Sequence, residues 1–224
     1  MADDVMVATP VDAETHFYQA DGPHGLKHNP FKALVAPRPI GWVSTVNRAG
    51  TVNLAPFSFF NAVADAPPIV IIACNGAHAE GGAKDTLANI RETGEFVCSM
   101  ATWELREQMN HSSIDAPHGI DEMRLAGLAA APSRLVKPPR VAAAPAALEC
   151  VHLQTVELPS TRPGTANNTI FGRVVGVHIS RAIIRDGMID MTRFAPIARL
   201  GYNDYTVVRE VFTMVRPKYP GAAG

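Results

Sequence analysis

The sequence predicts a mainly β protein, an antiparallel barrel with peripheral helices, and three observations support this fold class. Short segments rich in β-branched and aromatic residues recur between residues 40 and 180. Convincing helical patterns are confined to two short segments. Strands and helices do not alternate as parallel βαβ units require, so we expect antiparallel strands.

The strand pattern begins with an apolar run, a turn at 47–50 and a second run that can pair with the first as a hairpin. The run at 69–74 is continuously apolar, which predicts a buried central strand. The predicted strands are 40–46, 51–54, 69–74, 95–100, 148–158 and 169–180.

Two helices are predicted between these strands. The first covers 85–93, with Asp85 as its N-cap and Gly94 just beyond its last turn. The second covers 103–110 and is capped by Thr102. Residues 129–147 are rich in alanine and proline, and we interpret them as an extended connection inside one domain.

Composition excludes several classes of function. The chain has 224 residues, 20 Lys plus Arg against 21 Asp plus Glu, and a formal net charge of −1. This balance argues against nucleic-acid binding, which depends on a basic surface. No apolar run approaches the roughly 18 residues that a membrane span needs. The acidic N-terminus lacks a signal-peptide pattern. We therefore expect a cytoplasmic protein without a membrane or nucleic-acid partner.

The cysteines and histidines do not form a recognisable metal site. Cys74, Cys98 and Cys150 lie far apart and make no CxxC pair, so we expect buried, reduced thiols. His24 and His28 are four residues apart, but nearby glycines and prolines disfavour a helical HxxxH face. No metal ligand set and no catalytic triad is predicted.

The segment Lys84-Asp85-Thr86 is a candidate anion site. The first turn of a helix leaves amide donors unpaired, and the helix dipole favours an anion there. Lys84 adds a positive charge and Thr86 a hydroxyl group. The alternative is an ordinary capped surface helix with a solvated lysine, and this segment alone does not distinguish the two.

Polar residues in the first two strands form a second candidate site. Ser44 and Thr45 are adjacent and so point to opposite faces, which places one of them inward or against a ligand. Asn53 and Ser58 are polar residues near the second strand, where Pro56 indicates a bulge or a sheet edge. These four polar residues either face solvent or form part of a binding surface.

Three further residues have both a structural and a functional interpretation. Trp42 and Phe57 either pack in the core or flank a planar ring. Arg38, between two prolines, either binds an anion or lies in a surface loop.

Several motifs, taken as a set and in order, resemble the flavin reductase-like, FMN-binding split-barrel family. The resemblance covers about residues 31–208, leaving 1–30 as an N-terminal extension and 209–224 as a C-terminal tail. Residues 41–45 look closest to the branch that includes flavoredoxin-like proteins. The motifs are Pro37-Arg38-Pro39, Ala55-Pro56-Phe57-Ser58-Phe59-Phe60-Asn61, Lys84-Asp85-Thr86-Leu87, Gly94-Glu95-Phe96-Val97, Val136-Lys137-Pro138-Pro139-Arg140, Gly172-Arg173-Val174 and Ala198-Arg199-Leu200-Gly201.

The resemblance implies a six-stranded Greek-key split barrel that forms a homodimer and binds FMN near the subunit interface. Lys84 and Thr86 would hold the phosphate, while Trp42 and Phe171 would lie beside the isoalloxazine. The residues implied to line the ring and the ribityl chain are Ser44, Thr45, Asn53, Ala55, Pro56, Phe57 and Ser58.

The expected function is that of an FMN-dependent oxidoreductase of the flavin reductase class. NADH or NADPH would deliver hydride to the flavin, and the electrons would pass to an acceptor protein or leave with the flavin. The sequence has no GxGxxG motif, so the nicotinamide would not be held on a Rossmann fingerprint. The alternatives are an FMN-binding electron carrier reduced by another protein, and a flavin-binding protein without catalytic activity.

Overall fold

A seven-stranded antiparallel sheet forms the centre of the protein. The structure, a computed structural model, describes residues 15–219. Its strands are β1 Arg38–Pro39, β2 Gly41–Val46, β3 Val52–Phe57, β4 Phe60–Asp65, β5 Pro68–Asn75, β6 Glu95–Met100, β7 Ala130–Ala131, β8 Arg140–Val141, β9 Ala146–Leu158, β10 Asn167–Ile179, β11 Ile184–Arg185, β12 Met188–Ile189, β13 Ile197–Arg199 and β14 Tyr205–Val207. Its α-helices are α1 Phe31–Leu34, α2 Asp85–Thr93, α3 Arg106–His111, α4 Glu122–Leu125 and α5 Met191–Phe194. Single 3₁₀ turns lie at Trp103–Leu105 and Arg181–Ile183.

The mainly β, antiparallel prediction is confirmed, with one change in strand count. The large sheet has the order β3-β2-β6-β9-β10-β5-β4, which is seven strands rather than six. The strand of the large sheet that the sequence did not reveal is β4, whose residues after Phe60 are exposed and lack an apolar alternation. A separate three-stranded sheet, β1-β13-β14, lies beside the large one.

Strand β5 differs from the buried central strand that its apolar run predicts. It lies next to the edge strand β4, and only every second residue is buried: Val70, Ile72 and Cys74. The intervening residues, Ile69 and Ile71, are half-buried. A continuous apolar run therefore does not require burial of both faces, because only one face of β5 packs on the core.

Strand β2 is buried on both faces, which places it at the junction of two cores. Val43 belongs to a cluster that includes Phe96, Ile170 and Ile90 of α2. Trp42 belongs to a second cluster, with Leu54, Met109 and Met123. Adjacent strand residues point to opposite faces, so one short segment contributes to both clusters.

Gly172 allows the first core cluster to close against the sheet. A Cβ atom at this position would lie 2.7 Å from Cε1 of Phe96, and closer still to Cζ, and the Phe96 side chain is fully buried. A register shift between Phe171 and Gly172 interrupts the β9–β10 ladder at the same point. Glycine is required here because the Phe96 ring occupies the space that a side chain would take.

The first predicted helix is confirmed with both of its bounds, and the second is shorter than predicted. Gly94 has φ of 74°, the left-handed conformation that ends α2. The N-cap of α2 is Lys84 rather than Asp85, which is the first helical residue. The predicted helix 103–110 begins as a 3₁₀ turn, and α-helix starts at Arg106.

The alanine- and proline-rich connection 129–147 is fixed to the sheet by one buried carboxylate. Glu149 of β9 is fully buried and accepts hydrogen bonds from the amides of Arg134 at 2.7 Å and Leu135 at 2.6 Å. His178 of β10 lies 2.5 Å from the same carboxylate. Burial raises the pKa of Glu149, but the His178 and amide hydrogen bonds outweigh it and hold the pKa below its ordinary value.

All three cysteines are buried free thiols, as predicted. Burial raises the pKa of Cys74 to about 11, which disfavours a reactive thiolate. Among the described residues, no helix is long and apolar enough to cross a membrane. The predicted N-terminal extension and C-terminal tail extend outside the described residues, at 1–14 and 220–224.

Candidate functional site

A pocket opens where the N-terminus of α2 meets the edge strand β3. Its far wall consists of residues 77–79 and 112–116, which follow β5 and α3. The sequence-predicted residues that line this pocket are Asn53, Ala55, Pro56, Phe57, Lys84 and Thr86. Two segments about 30 residues apart in sequence, each singled out independently, therefore meet at one site.

The N-terminus of α2 has the features of an anion site. Its N-cap, Lys84, is extended, with φ of −60° and ψ of 146°, and its side chain makes no capping hydrogen bond. The first-turn amides of Asp85 and Thr86 therefore have no N-cap side chain as acceptor and can donate to a ligand, whereas the amide of Leu87 is hydrogen-bonded to the Cys74 sulfur. Helix dipole and lysine charge both favour an anion at this position.

Hydroxyl and amide side chains connect β2, β3 and α2 beneath the pocket. Asn53 donates from Nδ2 to the hydroxyl of Thr45 at 3.2 Å and to that of Thr86 at 2.9 Å. Asn89 also donates to Thr45, at 3.0 Å. Since Thr86 Oγ1 accepts from Asn53, the hydroxyl proton of Thr86 is left to donate to an anion.

Strand β3 forms the edge of the sheet, as Pro56 predicted. Leu54 and Pro56 are two residues apart, so their backbone groups point to the same, outer side. The amide of Leu54 donates to Oε2 of Glu122 at 3.0 Å, while Pro56 has no amide proton to satisfy. Backbone groups along this edge can therefore contact a ligand without breaking a strand pair.

Glu122, the first residue of α4, is a buried carboxyl in the wall of the pocket. Burial raises its pKa above the ordinary glutamate value, and the nearby negative charges of Asp85 and Asp121 add to this effect. The Leu54 amide opposes the shift. The Glu122 carboxyl therefore takes up its proton at a higher pH than an exposed glutamate does.

A cluster of two histidines and one aspartate ties the far wall to α2. His118 Nδ1 is hydrogen-bonded to Oδ1 of Asp85, and the amide of Gly119 donates to Oδ2 at 3.1 Å. The rings of His78 and His118 stack with centroids 3.5 Å apart and an angle of 19°. Nε2 of His78 lies 3.1 Å from the carbonyl oxygen of Ala116.

Donor atoms of His78, Asp85 and His118 lie within 4.8 Å of one another, a spacing that a metal centre also shows. Stacked rings, however, direct their in-plane lone pairs along parallel rather than converging lines. Nδ1 of His78 accepts from the amide of Glu80 at 3.1 Å, and Nε2 faces a carbonyl oxygen. The arrangement fits a hydrogen-bonded cluster better than a metal site.

The other predicted site residues lie beneath the pocket or away from its wall. Trp42 is fully buried, and its indole donates to Ser112 Oγ at 2.8 Å, so its ring belongs to the core. Ser44 is fully buried and donates to the carbonyl oxygen of Pro139. Thr45 supports the pocket through the Asn53 network. Ser58 and Phe171 are half-buried and do not contribute to the lining of this pocket.

Arg38 has neither of the two roles considered from the sequence. Its side chain is buried, with Nη1 donating to the carbonyl oxygens of Lys32 and Val35, and Nη2 to that of Leu200 at 2.7 Å. The guanidinium therefore joins the end of α1 to the residue that follows β13. Burial, followed by the charge of Arg199, lowers its pKa from the ordinary value.

Sequence reasoning missed the residues of the far wall and Glu122. His78, Ser113, Asp115 and Glu122 line the pocket, although no recognised motif contains them. Glu122 meets Leu54 across 68 residues, and His118 meets Asp85 across 33. Local periodicity carries no signal for such contacts.

A model of the flavin reductase like domain matches residues 34–196. An uncharacterized protein from Deinococcus radiodurans is 37% identical over 215 residues, covering 92% of each chain. Nitrilotriacetate monooxygenase component B from Bacillus cereus is similar in structure, with a TM-score of 0.78, 28% identity, and coverage of 89% of this chain and 100% of that one.

Two further solved structures share the architecture. Pseudomonas fluorescens 2-nitrobenzoate 2-nitroreductase NbaA has a TM-score of 0.74 and 29% identity, covering 87% of this chain and 92% of that one. Flavoredoxin of Desulfovibrio vulgaris has a TM-score of 0.69 and 20% identity, covering 88% and 97%, and this likeness concerns the fold alone.

Proposed function

Because the chain belongs to the flavin reductase-like domain family, we propose that it is an FMN-dependent oxidoreductase that uses NADH or NADPH as its reductant. When bound, FMN supplies the redox chemistry, and the protein supplies binding, orientation and electrostatics. The observation that carries this proposal is the pocket between β3 and the uncapped N-terminus of α2.

The phosphate end of this pocket is built from α2. Lys84 would contribute a positive charge, and the hydroxyl proton of Thr86 would donate to a phosphate oxygen. Asn53 holds Thr86 from beneath, at 2.9 Å, so the hydroxyl is fixed before a ligand arrives. Pre-positioned donors bind an anion with less loss of side-chain entropy.

The ring end of the pocket is built from the edge strand β3. Ala55, Pro56 and Phe57 line it, and the small side chains of Ala55 and Pro56 allow a flat ligand to approach the backbone. Hydride transfer depends on the positions of two rings more than on a strong acid or base. A site without a catalytic triad therefore fits this reaction.

Two structurally similar proteins favour different acceptors for the electrons. The 28% identical B. cereus protein is component B of a monooxygenase, which favours reduced flavin, or its electrons, passing to a partner protein. The 29% identical P. fluorescens protein is a nitroreductase, which favours direct reduction of a small organic molecule as a second candidate. An FMN-binding electron carrier, reduced by another protein, is the third.

We also propose that the protein is a homodimer. Large apolar side chains lie exposed towards one end of the hairpin formed by β9 and β10, among them Leu153, Val156 and Leu158 of β9. Exposed apolar surface of this kind is typical of a protein–protein interface. A partner covering this hairpin would remove these side chains from water.

The first experiment is an anaerobic visible spectrum of the protein with bound FMN, before and after addition of NADH or NADPH. Bleaching of the flavin bands at a rate that supports turnover is expected for the reductase. Bands that persist with both nucleotides, but bleach with dithionite, would contradict it and favour the electron carrier. Failure to bind FMN would remove the cofactor from the proposal.

A further inference from the structure

An acidic residue stands at the N-terminus of α2, where an anion is expected to bind. Asp85 directly follows Lys84 and borders the pocket between β3 and α2, which is the flavin pocket of the proposed function. Its charge at this position would repel a phosphate group. Both carboxylate oxygens, however, are bound by the segment that follows α3: Oδ1 by His118 and Oδ2 by the amide of Gly119 at 3.1 Å.

These contacts hold the Asp85 carboxylate on the side of the helix end that faces His118 and the neighbouring cavity. His118 and Gly119 line a neighbouring cavity together with Asn89, and neither contributes to the flavin pocket. Asp85 borders both cavities, so it separates the two. The carboxylate is thereby directed at His118 rather than at the ligand.

The lining of the pocket has more acidic than basic side chains, so a residue that neutralises one of the acids matters for binding an anion. The acidic lining residues are Asp85, Asp115 and Glu122, and the lysine is Lys84, at the helix end. Around His118 itself, Asp85 accepts from the ring, Glu80 accepts from the backbone amide at 3.0 Å, and His78 stacks on the ring. Asp121 lies three residues further along the same segment.

We propose that His118 is a positioning residue that neutralises Asp85 and holds its carboxylate away from the N-terminus of α2, so that a phosphorylated flavin is bound more tightly than riboflavin. This inference rests on the proposed function, because it concerns the same pocket. The hydrogen bond to Asp85 raises the pKa of His118, and desolvation lowers it by less. The raised pKa keeps the imidazolium charged to higher pH.

The test is a double-mutant cycle read out by flavin affinity. His118→Gln keeps a hydrogen-bond donor for Asp85 but cannot carry a charge, and Asp85→Asn removes the charge to be neutralised. Fluorescence titrations with FMN and with riboflavin would be made for the unaltered protein, both single variants and the double variant. Thermal unfolding would show that each variant is folded.

We expect His118→Gln to weaken FMN binding roughly threefold to tenfold, as the loss of one partly screened charge predicts, and to leave riboflavin binding unchanged. In the Asp85→Asn background the same substitution is expected to have no effect on FMN affinity. Equal weakening of both flavins, or an undiminished effect of His118→Gln in the Asp85→Asn background, would overturn the inference.

The pH dependence gives an independent readout. The ratio of FMN affinities of the unaltered protein and His118→Gln removes the pH dependence that both proteins share and leaves the part that depends on His118. Because the pKa of His118 is raised, the ratio should be largest at low pH and fall towards one as pH rises through that pKa. A ratio that does not change with pH would contradict the charge mechanism, and absence of FMN binding by the unaltered protein would overturn the proposed function as well.

Discussion

Thr45→Val is expected to destabilise the protein and loosen the candidate site through a single hydroxyl group. Thr45 is fully buried, and its oxygen accepts from Asn53 at 3.2 Å and from Asn89 at 3.0 Å. Valine has almost the same shape, so the substitution removes two hydrogen bonds without opening a cavity.

The magnitude follows from the donors that are left behind. One N–H of each asparagine loses its acceptor in a buried setting, at a cost of about 1–3 kcal/mol each. For the two donors together, a loss of about 2–6 kcal/mol is a large part of the roughly 5–15 kcal/mol by which a typical domain is stable. For a domain of this size, it corresponds to a fall in melting temperature of roughly 4–24 °C.

The assay is urea-induced unfolding followed by circular dichroism, with flavin affinity as a second readout. Thr169→Val is a matched control, because Thr169 is half-buried in β10 and its hydroxyl makes no hydrogen bond to any other described residue. Thr45→Val/Asn89→Leu should recover part of the loss, since it removes one of the two unpaired donors. Equal unfolding midpoints for Thr45→Val and the control would refute the reasoning.

Four other outcomes are expected. Lys84→Ala should weaken FMN binding by about 1–3 kcal/mol in titration calorimetry, because it removes a charge-assisted contact to phosphate, whereas an unchanged affinity would count against the phosphate site. Gly172→Ala should lower the free energy of unfolding, measured in urea, by about 1–3 kcal/mol, because its Cβ would lie 2.7 Å from Cε1 of Phe96. Gly22→Ala serves as a control, since its nearest contact would be at 3.4 Å. Glu149→Gln should lower the free energy of unfolding at pH 7. The difference in unfolding free energy between the unaltered protein and the variant should shrink in acid titrations, as pH falls below 4.5 and through the lowered folded-state pKa of Glu149. A difference that stays constant with pH would contradict this linkage. Light scattering at micromolar concentration should give the mass of a dimer, and a monomer with FMN still bound would contradict the dimer.

Much of the framework could be predicted because it depends on neighbours in sequence. Helix α2 was placed at its observed bounds, since Gly94 provides the left-handed residue that ends a helix. Pro56 indicated a bulge or a sheet edge, because proline lacks the amide that a central strand needs, and β3 is an edge strand. The hairpin of β2 and β3 followed from two apolar runs with a short turn between them.

The sequence was less informative about which face of a strand meets the ligand. Trp42 and Val43 are adjacent and both fully buried, each in a different core cluster. Alternation predicts that they point to opposite faces, but not which face is covered by protein and which by a ligand. The apolar run of β5 was misleading for the same reason, since burial depends on what packs against each face.

By itself, the sequence determined the main strands, the first helix, and the two segments that meet at the pocket. Turns, caps and alternation each depend on residues that lie within a few positions of one another in the sequence. The tertiary structure alone decided that Trp42 lies in the core, that Glu122 binds the edge of β3, and that His118 binds Asp85. Those contacts join residues 33 to 70 positions apart. They exist because the segment after α3 folds back against β2, β3 and α2, a packing that no local sequence pattern predicts.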